Sequence, residues 1–332
     1  MSAAIVTADS LAASMRLGNR RAFRRNGWGY ALVATLGVLL LATKLERPAY
    51  GSFELESLAQ AALPIALAAV AQAIVVIAGG IDLSVGSVMA LTNVVAAVLM
   101  QRYGDAASVP IVGLVLIVGL VVGGLNGALV VSTRVPDIIV TLATSYVWAG
   151  AALLVLASPG GRTSAWLQEL ANGSVVVLPK AFLVLSVLVA IVWLPLRRSR
   201  LGLSLYGVGS DRLAAFRSGV NVGRTKIASY ALCGVLAATG GLALSMTTGI
   251  GSPVPGNYTL GGVAAVVLGG VSLAGGRGGL IGPVAASFIL ALIRADLILV
   301  GIDPNFSVVL QGAIMVVVVM VAGLLTLRAR LA

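Results

Sequence analysis

The chain has 332 residues, of which 59% are hydrophobic and 10% are charged, and its mean hydropathy is +1.06. A soluble domain carries about 25% charged residues, so this composition predicts an all-α, polytopic integral membrane protein. The chain has no histidine and a single cysteine, Cys233, which argues against His-based acid–base chemistry, an internal disulfide and a Cys-rich metal site. We therefore expect a protein that is not an enzyme, with no catalytic residues, no metal and no cofactor.

The amino-terminal segment is basic and precedes an apolar run, 28–43. The run is followed by Lys44, Glu46 and Arg47 without a small-residue cleavage pattern, so we interpret it as an uncleaved first helix and not as a signal peptide. We expect residues 1–27 to form a cytoplasmic segment and residues 28–328 to form a single transmembrane domain.

The hydropathy pattern predicts about ten membrane spans, because a spanning helix needs about 20 mostly apolar residues. Ten spans place both termini on the same side of the membrane. The predicted spans lie near 28–44, 58–78, 85–101, 109–131, 138–157, 178–196, 226–247, 259–274, 279–300 and 306–327.

The distribution of basic residues orients these spans. With the amino terminus in the cytoplasm, the inner segments hold 16 of the 22 Lys and Arg residues and the outer segments hold 5. This asymmetry follows the positive-inside rule and predicts cytoplasmic termini. It also explains the formal net charge of +11, because the basic residues would face anionic lipid. A role in nucleic-acid binding is not needed to explain this charge, since the basic residues are dispersed along the chain.

Two glycine-rich motifs interrupt the apolar pattern. The first, residues 79–87, reads Gly-Gly-Ile-Asp-Leu-Ser-Val-Gly-Ser. Asp82 would cost about 2.5–3.5 kcal/mol at membrane depth, so we expect it in a polar cavity, at a helix start or in a solvated inner turn, and Ser84 could cap the next helix. The second motif lies in 260–283, and short glycine-interrupted segments in both halves of a chain often mark a transport site. The motif glycines are Gly79, Gly80, Gly86, Gly269, Gly270, Gly275 and Gly276.

The inner loop 197–225 contains the signals of a short helix over 211–218. We expect Ser210 as its N-cap, Asp211 in its first turn, Arg217 in its last turn and Gly219 just beyond its end. The helix could lie on the lipid surface or dock a cytoplasmic partner. The residues concerned are Ser210, Asp211, Arg212, Leu213, Ala214, Ala215, Phe216, Arg217 and Gly219.

Polar residues inside the predicted spans are candidates for a translocation path, since a polar solute needs replacement hydrogen bonds as it sheds water. Such residues can equally bond neighbouring helices. The candidates are Asp82, Ser84, Asn93, Asn126, Thr141, Thr144 and Ser145.

No nucleotide-binding motif is present, because a P-loop requires a glycine immediately before a lysine. The three lysines follow Thr43, Pro179 and Thr225. If ATP drives this protein, another chain must bind it.

Four sequence blocks resemble the membrane permease subunits of bacterial ABC importers for ribose, xylose and related monosaccharides. The resemblance covers roughly 55–325, with departures at Ser210, at 258–261 and at Pro283. The matching blocks are 79–87; Asn126-Gly127 with Pro136 and Thr141-Leu142; Ala214-Ala215 with 218–222; and 264–270 through 273–276.

This resemblance implies a set of partners and a location. The partners would be a second permease subunit, identical or different, two cytoplasmic ABC ATPase subunits and an external sugar-binding protein. The location would be the bacterial cytoplasmic (inner) membrane, in contact with lipid, and the helix at 211–218 would be the coupling helix. Two alternatives stay open at this point: a permease for branched-chain amino acids or another small polar solute, and a self-contained carrier, which would need intramembrane carboxylates such as Asp82 and Asp296.

Overall fold

The computed structural model describes residues 8–303, with side chains from residue 27, and seven scattered positions between 306 and 320. Most of the predicted tenth span, 306–327, and the carboxyl terminus therefore lie outside the described residues. The described part consists of twelve α-helices, one short 3₁₀ turn at Asp105–Ala107 and one two-stranded hairpin. This confirms the predicted all-α class.

The elements follow one another along the chain with short connections. The helices are α1 (Ala8–Glu46), α2 (Ser52–Ile77), α3 (Val85–Tyr103), α4 (Ser108–Thr133), α5 (Asp137–Val155), α6 (Ala165–Ala171), α7 (Lys180–Arg198), α8 (Arg200–Ser210), α9 (Arg212–Arg217), α10 (Val222–Thr248), α11 (Tyr258–Leu268) and α12 (Ile281–Leu299), and the strands of the antiparallel hairpin are β1 (Ser174–Val175) and β2 (Leu178–Pro179).

Eight helices within the described residues are long and apolar enough to cross a membrane. They correspond to the first seven predicted spans and the ninth. The eighth predicted span, 259–274, is wrong in length, because α11 ends at Leu268 and Gly270 takes a left-handed conformation at φ 77°. With 11 residues α11 is about 16 Å long, roughly half of the 30 Å hydrocarbon core.

Helix α2 is the centre of the fold. Its residues from Ala66 to Ile77 are all buried, and it packs against α10, α11, α12 and α7. Alanines make up much of this stretch, so neighbouring backbones can approach closely, which favours helix association where lipid removes the hydrophobic driving force.

The contact between α4 and α10 depends on three glycines spaced four residues apart on α4. A methyl group on Gly123 would lie 2.9 Å from the Cα of Gly234, and one on Gly127 would lie 2.9 Å from the Cα of Ile227. Gly119 faces the same surface of α10. This is a small-residue stripe of the kind that brings two membrane helices into backbone contact.

The first span is joined to the last described helices at both of its ends. At the end that the predicted orientation places at the cytoplasmic side, which we call the inner end, the Trp28 indole donates to the Leu268 carbonyl at 2.7 Å, and Gly29 packs on the backbone of Gly282. At the outer end, the Thr43 hydroxyl donates to Asp296 at 3.0 Å. Helix α1 is continuous from Ala8, so the expected boundary at residue 27 does not coincide with the end of a helix.

The loop between α5 and α7, which is predicted to lie outside, is structured. It contains α6 and the hairpin, and a backbone bridge joins Gly160 to Gly251, in the loop that follows α10. The hairpin tip carries Val176, whose side chain is 95% exposed.

The orientation of the spans is tested by labelling cysteines on opposite faces. Val176→Cys should react with a membrane-impermeant thiol reagent from outside and Leu213→Cys only from the cytoplasm, because both positions are exposed and the positive-inside rule places them on opposite sides. The unmodified chain is the control, since Cys233 is buried. Reversed labelling would contradict the orientation.

Candidate functional site

The predicted inner helix is present as α9, but its start differs from the prediction. The N-cap is Asp211, whose carboxylate accepts from the backbone N–H groups of Leu213 at 2.8 Å and Ala214 at 3.0 Å. Ser210 is instead the last residue of α8, a helix that was not predicted from the sequence. Gly219 lies just beyond the helix at φ 82°, which confirms the predicted left-handed end.

Helix α9 exposes an apolar side. Leu213 is 57% exposed and Phe216 is 67% exposed, whereas Ala215 is buried against the protein. Ala214 and Arg217 are also exposed. Beside Phe216, residues 219–223 line an open surface pocket of about 410 Å³. The helix therefore presents two apolar side chains next to a groove.

The two glycine-rich motifs meet where α8 joins α9. We call this contact the glycine junction; its members are Gly79, Gly209, Gly275 and Gly276. A methyl group on Gly275 would lie 2.7 Å from the Gly209 carbonyl oxygen and 2.9 Å from the Cα of Gly79. The Gly276 N–H donates to the Ile77 carbonyl at 2.9 Å. Backbones touch here without intervening side chains, so the two motifs and the inner helices are in direct contact.

A hydrogen bond ties α9 itself to the first motif. The Arg212 guanidinium donates to the Gly79 carbonyl at 3.1 Å. In the preceding helix, the Tyr206 hydroxyl donates to the carbonyl of Gly278, in the second motif, at 2.7 Å. The inner helices are therefore attached to both glycine-rich motifs.

The first motif turns back toward the membrane interior after α2. When the Gln72 amide is oriented so that both its nitrogen and its oxygen form hydrogen bonds, the nitrogen donates to the Asp82 backbone carbonyl at 2.9 Å. The oxygen accepts from the Asp82 backbone N–H at 3.2 Å. Gln72 lies five residues before the end of α2, which is about 7.5 Å along the helix. Asp82 therefore lies above the inner end of α2 and is not a solvated inner turn.

The Asp82 carboxylate begins a buried chain of hydrogen bonds. It accepts from the Ser84 hydroxyl at 2.6 Å; Ser84 accepts from the Asn126 amide at 2.7 Å, and Asn126 accepts from the Trp148 indole at 3.1 Å. Cys233 donates to the second Asp82 oxygen at 3.6 Å. Ser84 occupies the N-cap position of α3 as expected, but its hydroxyl bonds Asp82 instead of capping the helix.

A largely buried ion pair beside this chain was not identified from the sequence. The Lys226 ammonium contacts both Asp137 oxygens, at 2.8 and 2.7 Å, and the Tyr230 hydroxyl donates to Asp137 at 3.0 Å. A methyl group on Gly80 would lie 2.5 Å from an Asp137 oxygen. The sequence signal was a pair of charges at the ends of two predicted spans, 89 positions apart, and sequence alone could not show that these ends meet.

The other predicted path residues also bond inside the protein. Thr141 accepts from the Leu83 N–H at 3.0 Å and bonds carbonyls on its own helix. Thr144 and Ser145 donate to carbonyls of α5. Asn93 donates to Ser245 at 2.8 Å and accepts from the Ser252 N–H at 2.6 Å. The bonds of Thr141 and Asn93 join neighbouring segments, whereas those of Thr144 and Ser145 stay within α5. The role of these residues in a translocation path stays a prediction.

The remaining motif glycines each allow a close approach. Gly86 donates its N–H to the Thr259 hydroxyl at 2.8 Å. A methyl group on Gly269 would lie 2.6 Å from the Cδ of Pro283, and one on Gly270 would collide with the Trp28 ring. Within the part of the chain that the structure describes, no three His, Cys, Asp or Glu residues are grouped so that they could hold a metal.

These features define a multi-pass helical membrane protein whose two glycine-rich motifs meet an inner helix. Residues 55–319 match the sequence profile of the family described as "Branched-chain amino acid transport system / permease component", and the chain belongs to this family. It is therefore a permease component of a transport system. The resemblance to import permeases inferred from the sequence motifs is confirmed.

Characterised relatives align over most of their length. The chain is 31% identical to the fructose import permease protein of Rhizobium meliloti, over 87% of this chain and 82% of the relative. It is 29% identical to the ribose import permease protein of Escherichia coli K12, over 88% and 92%. It is 28% identical to the autoinducer 2 import system permease protein of Escherichia coli O9:H4, over 89% and 92%. No solved structure matches the chain.

The glycine junction is tested with a matched pair of substitutions. Gly275→Ala and Gly301→Ala both place a methyl group at φ 85°, which costs about 1–2 kcal/mol by itself. Only the Gly275 methyl meets neighbouring backbone; nothing lies within 4 Å of the Gly301 methyl. We expect Gly275→Ala to lower the melting temperature of the detergent-solubilised protein clearly more than Gly301→Ala. Equal melting temperatures for the two variants would contradict close packing at the junction.

The ion pair is tested by charge exchange. Lys226→Met leaves the Asp137 carboxylate buried without its cation, and such losses cost about 3–5 kcal/mol. We expect a lower melting temperature for this variant and partial recovery in the double variant Asp137→Lys, Lys226→Asp. Recovery should be incomplete, because a lysine at the first position of α5 opposes the helix dipole. A melting temperature for Lys226→Met equal to that of the unmodified chain would show that the pair contributes nothing to stability.

Proposed function

We propose that this chain is the permease subunit of an ATP-binding-cassette importer that carries a monosaccharide across the bacterial cytoplasmic membrane. An external binding protein would deliver the sugar, and two cytoplasmic ATPase subunits would supply the energy. The named relatives that support the substrate class import fructose and ribose, both of which are monosaccharides. A second permease subunit, identical or related, would complete the path.

The observation that carries the proposal is the attachment of the adjoining helices α8 and α9 to the two glycine-rich motifs: α9 bonds the first motif through Arg212, and α8 bonds the second through Tyr206. A partner can shift the spans only if it contacts them differently in two states. The glycine junction offers a route for such a shift, because backbones in contact have no flexible side chains between them to absorb a displacement. Movement of α9 would therefore reach the end of α2 and the loop before α12.

The chemistry of α9 fits a protein partner. Leu213 and Phe216 point away from the rest of the chain, and both are more than half exposed. In this arrangement they would insert into an apolar groove on an ATPase subunit, while Arg217 would meet acidic groups at its rim. The groove beside Phe216 would accept a side chain of the partner. Lipid-surface binding is the competing interpretation, and it predicts no loss of partner binding when these residues change.

The alternative substrates receive less support from the contacts. A zwitterionic amino acid would need charged groups in the path, but Asp137 and Lys226 neutralise each other. A self-contained carrier would need a carboxylate that exchanges ions with water, and Asp82 is only 2% exposed. The family description does name branched-chain amino acids, so uptake of leucine is the necessary comparison in any transport assay.

The docking role of α9 is tested by placing a charge on its apolar side. Phe216→Glu should reduce both co-purification of the ATPase subunit and uptake of radiolabelled ribose or fructose, because a buried carboxylate in an apolar groove is unfavourable. Val176→Glu, at an exposed apolar position on the outer hairpin, is the matched control and should leave co-purification unchanged.

Replacement of Ala215 is a poorer test, because this residue is buried and its loss would disturb folding. If Phe216→Glu and Leu213→Glu both keep normal co-purification and normal uptake, α9 is a lipid-surface element and the energy input enters elsewhere.

A further inference from the structure

The segment between α10 and α11 is irregular and carries few internal hydrogen bonds. Residues 253–257 read Pro-Val-Pro-Gly-Asn, and the two prolines have no backbone N–H to donate. Within residues 254–256 of the described chain the backbone makes one hydrogen bond, from the Gly256 N–H to the Val254 carbonyl at 2.9 Å. Of the five carbonyl groups of residues 253–257, those of Val254 and Asn257 accept backbone hydrogen bonds, and the described residues supply no donor to the other three.

Contacts with α3 place this segment at membrane depth. The Ser252 N–H donates to Asn93, which lies ten residues, or about 15 Å, from the outer end of α3 at Tyr103. The hydroxyl of Thr259 accepts from the N–H of Gly86, one residue after the start of α3. The chain therefore descends along α3 from the level of Asn93 to the level of Gly86.

Contacts with α2 give the same depth. Gly262 packs on Ala68 and Gly261 on Ile65, and Ala68 lies nine residues, or about 14 Å, before the inner end of α2 at Ile77. Since the hydrocarbon core is about 30 Å thick, α11 begins close to the middle of the membrane. The irregular segment lies immediately before this point.

One side of the segment is uncovered. Val254 is 66% exposed and Leu260 is 58% exposed, and Gly256 and Asn257 are exposed as well. The Asn257 side chain does not cap α11. Irregular backbone at membrane depth cannot face lipid, because each unsatisfied polar group in hydrocarbon costs several kcal/mol. It is tolerated only where it is buried in protein or lines a water-filled cavity.

We infer that residues 254–257, together with the Asn257 amide, line the aqueous solute path of the permease. This inference rests on the proposed function and names the surface that the solute would meet. No charged residue occurs between Gly249 and Gly276, so the surface offers free carbonyl acceptors and one amide but no fixed charge. That chemistry suits a neutral polyhydroxy solute, whose hydroxyl groups would donate to the carbonyls and accept from the amide. Asn93 acts here as a positioning residue, since it holds Ser252.

The test compares thiol reactivity at membrane depth. Asn257→Cys and Val254→Cys are introduced into the full chain, and Ile191→Cys is the matched control, because Ile191 is 64% exposed near the middle of the continuous helix α7. Unsealed membranes are treated with a charged methanethiosulfonate, which reaches only thiols in contact with water, and separately with an apolar maleimide. The native Cys233 is buried and serves as the background.

We expect both segment variants to react with the charged reagent at least about tenfold faster than Ile191→Cys, since reaction requires a hydrated thiolate. Equal, slow reaction at all three positions would overturn the inference. So would oxidative cross-linking of Val254→Cys to a second copy together with an unreactive Asn257→Cys, which would identify a dry interface between two chains.

The same variants separate this inference from the proposed function. Labelling needs neither an ATPase nor a known solute. If the segment reacts as an aqueous surface but the chain takes up no ribose or fructose, the inference of a path stands and its assignment to a sugar is overturned. Conversely, uptake of ribose or fructose by Asn257→Leu at the rate of the unmodified chain would overturn the role of the amide while leaving the importer assignment intact.

Discussion

Direct contact between backbones, at positions that carry no side chain, determines how the inner half of this molecule is arranged. At the glycine junction the end of α2, the end of α8 and the loop before α12 approach so closely that a single methyl group at Gly275 would lie within 3 Å of two of them. Lipid supplies no hydrophobic force between helices, so close packing and hydrogen bonds must hold them together. The buried ion pair and the Asp82 chain lie beside this contact and add the hydrogen bonds.

The features that could be predicted from the sequence are those encoded by local patterns. The first seven predicted spans and the ninth correspond to long apolar helices. They could be predicted because a span is encoded by about 20 consecutive, mostly apolar residues. The limits of α9 were nearly correct for the same reason: capping residues act within one turn. The error at Ser210 arose because two acceptable caps, Ser210 and Asp211, are adjacent, and the length of α8 decides between them.

The features that could not be predicted depend on which segments meet. Asp137 and Lys226 each look like a solvated residue at the end of a span, and only the approach of the first residue of α5 to the first turns of α10 makes them a largely buried pair. The polar residues Ser84, Asn126 and Trp148 were individually visible in the sequence, but their order in one hydrogen-bonded chain is a property of three helices. For α11, a continuous apolar stretch predicted a full span, although the helix has only half that length. Hydropathy could not reveal this, because it does not show where two glycines end a helix.

The attachment of α1 bears on the size of the folding unit. The family match begins at residue 55, after the first span, yet Trp28 and Gly29 pack on the ends of α11 and α12, and Thr43 bonds Asp296. A chain trimmed to the matched region would leave the Leu268 carbonyl and the Asp296 carboxylate without these donors and would expose the close-packed glycine surface of α12 to lipid. We therefore expect the folding unit to extend beyond the region that the family profile matches and to include the first span.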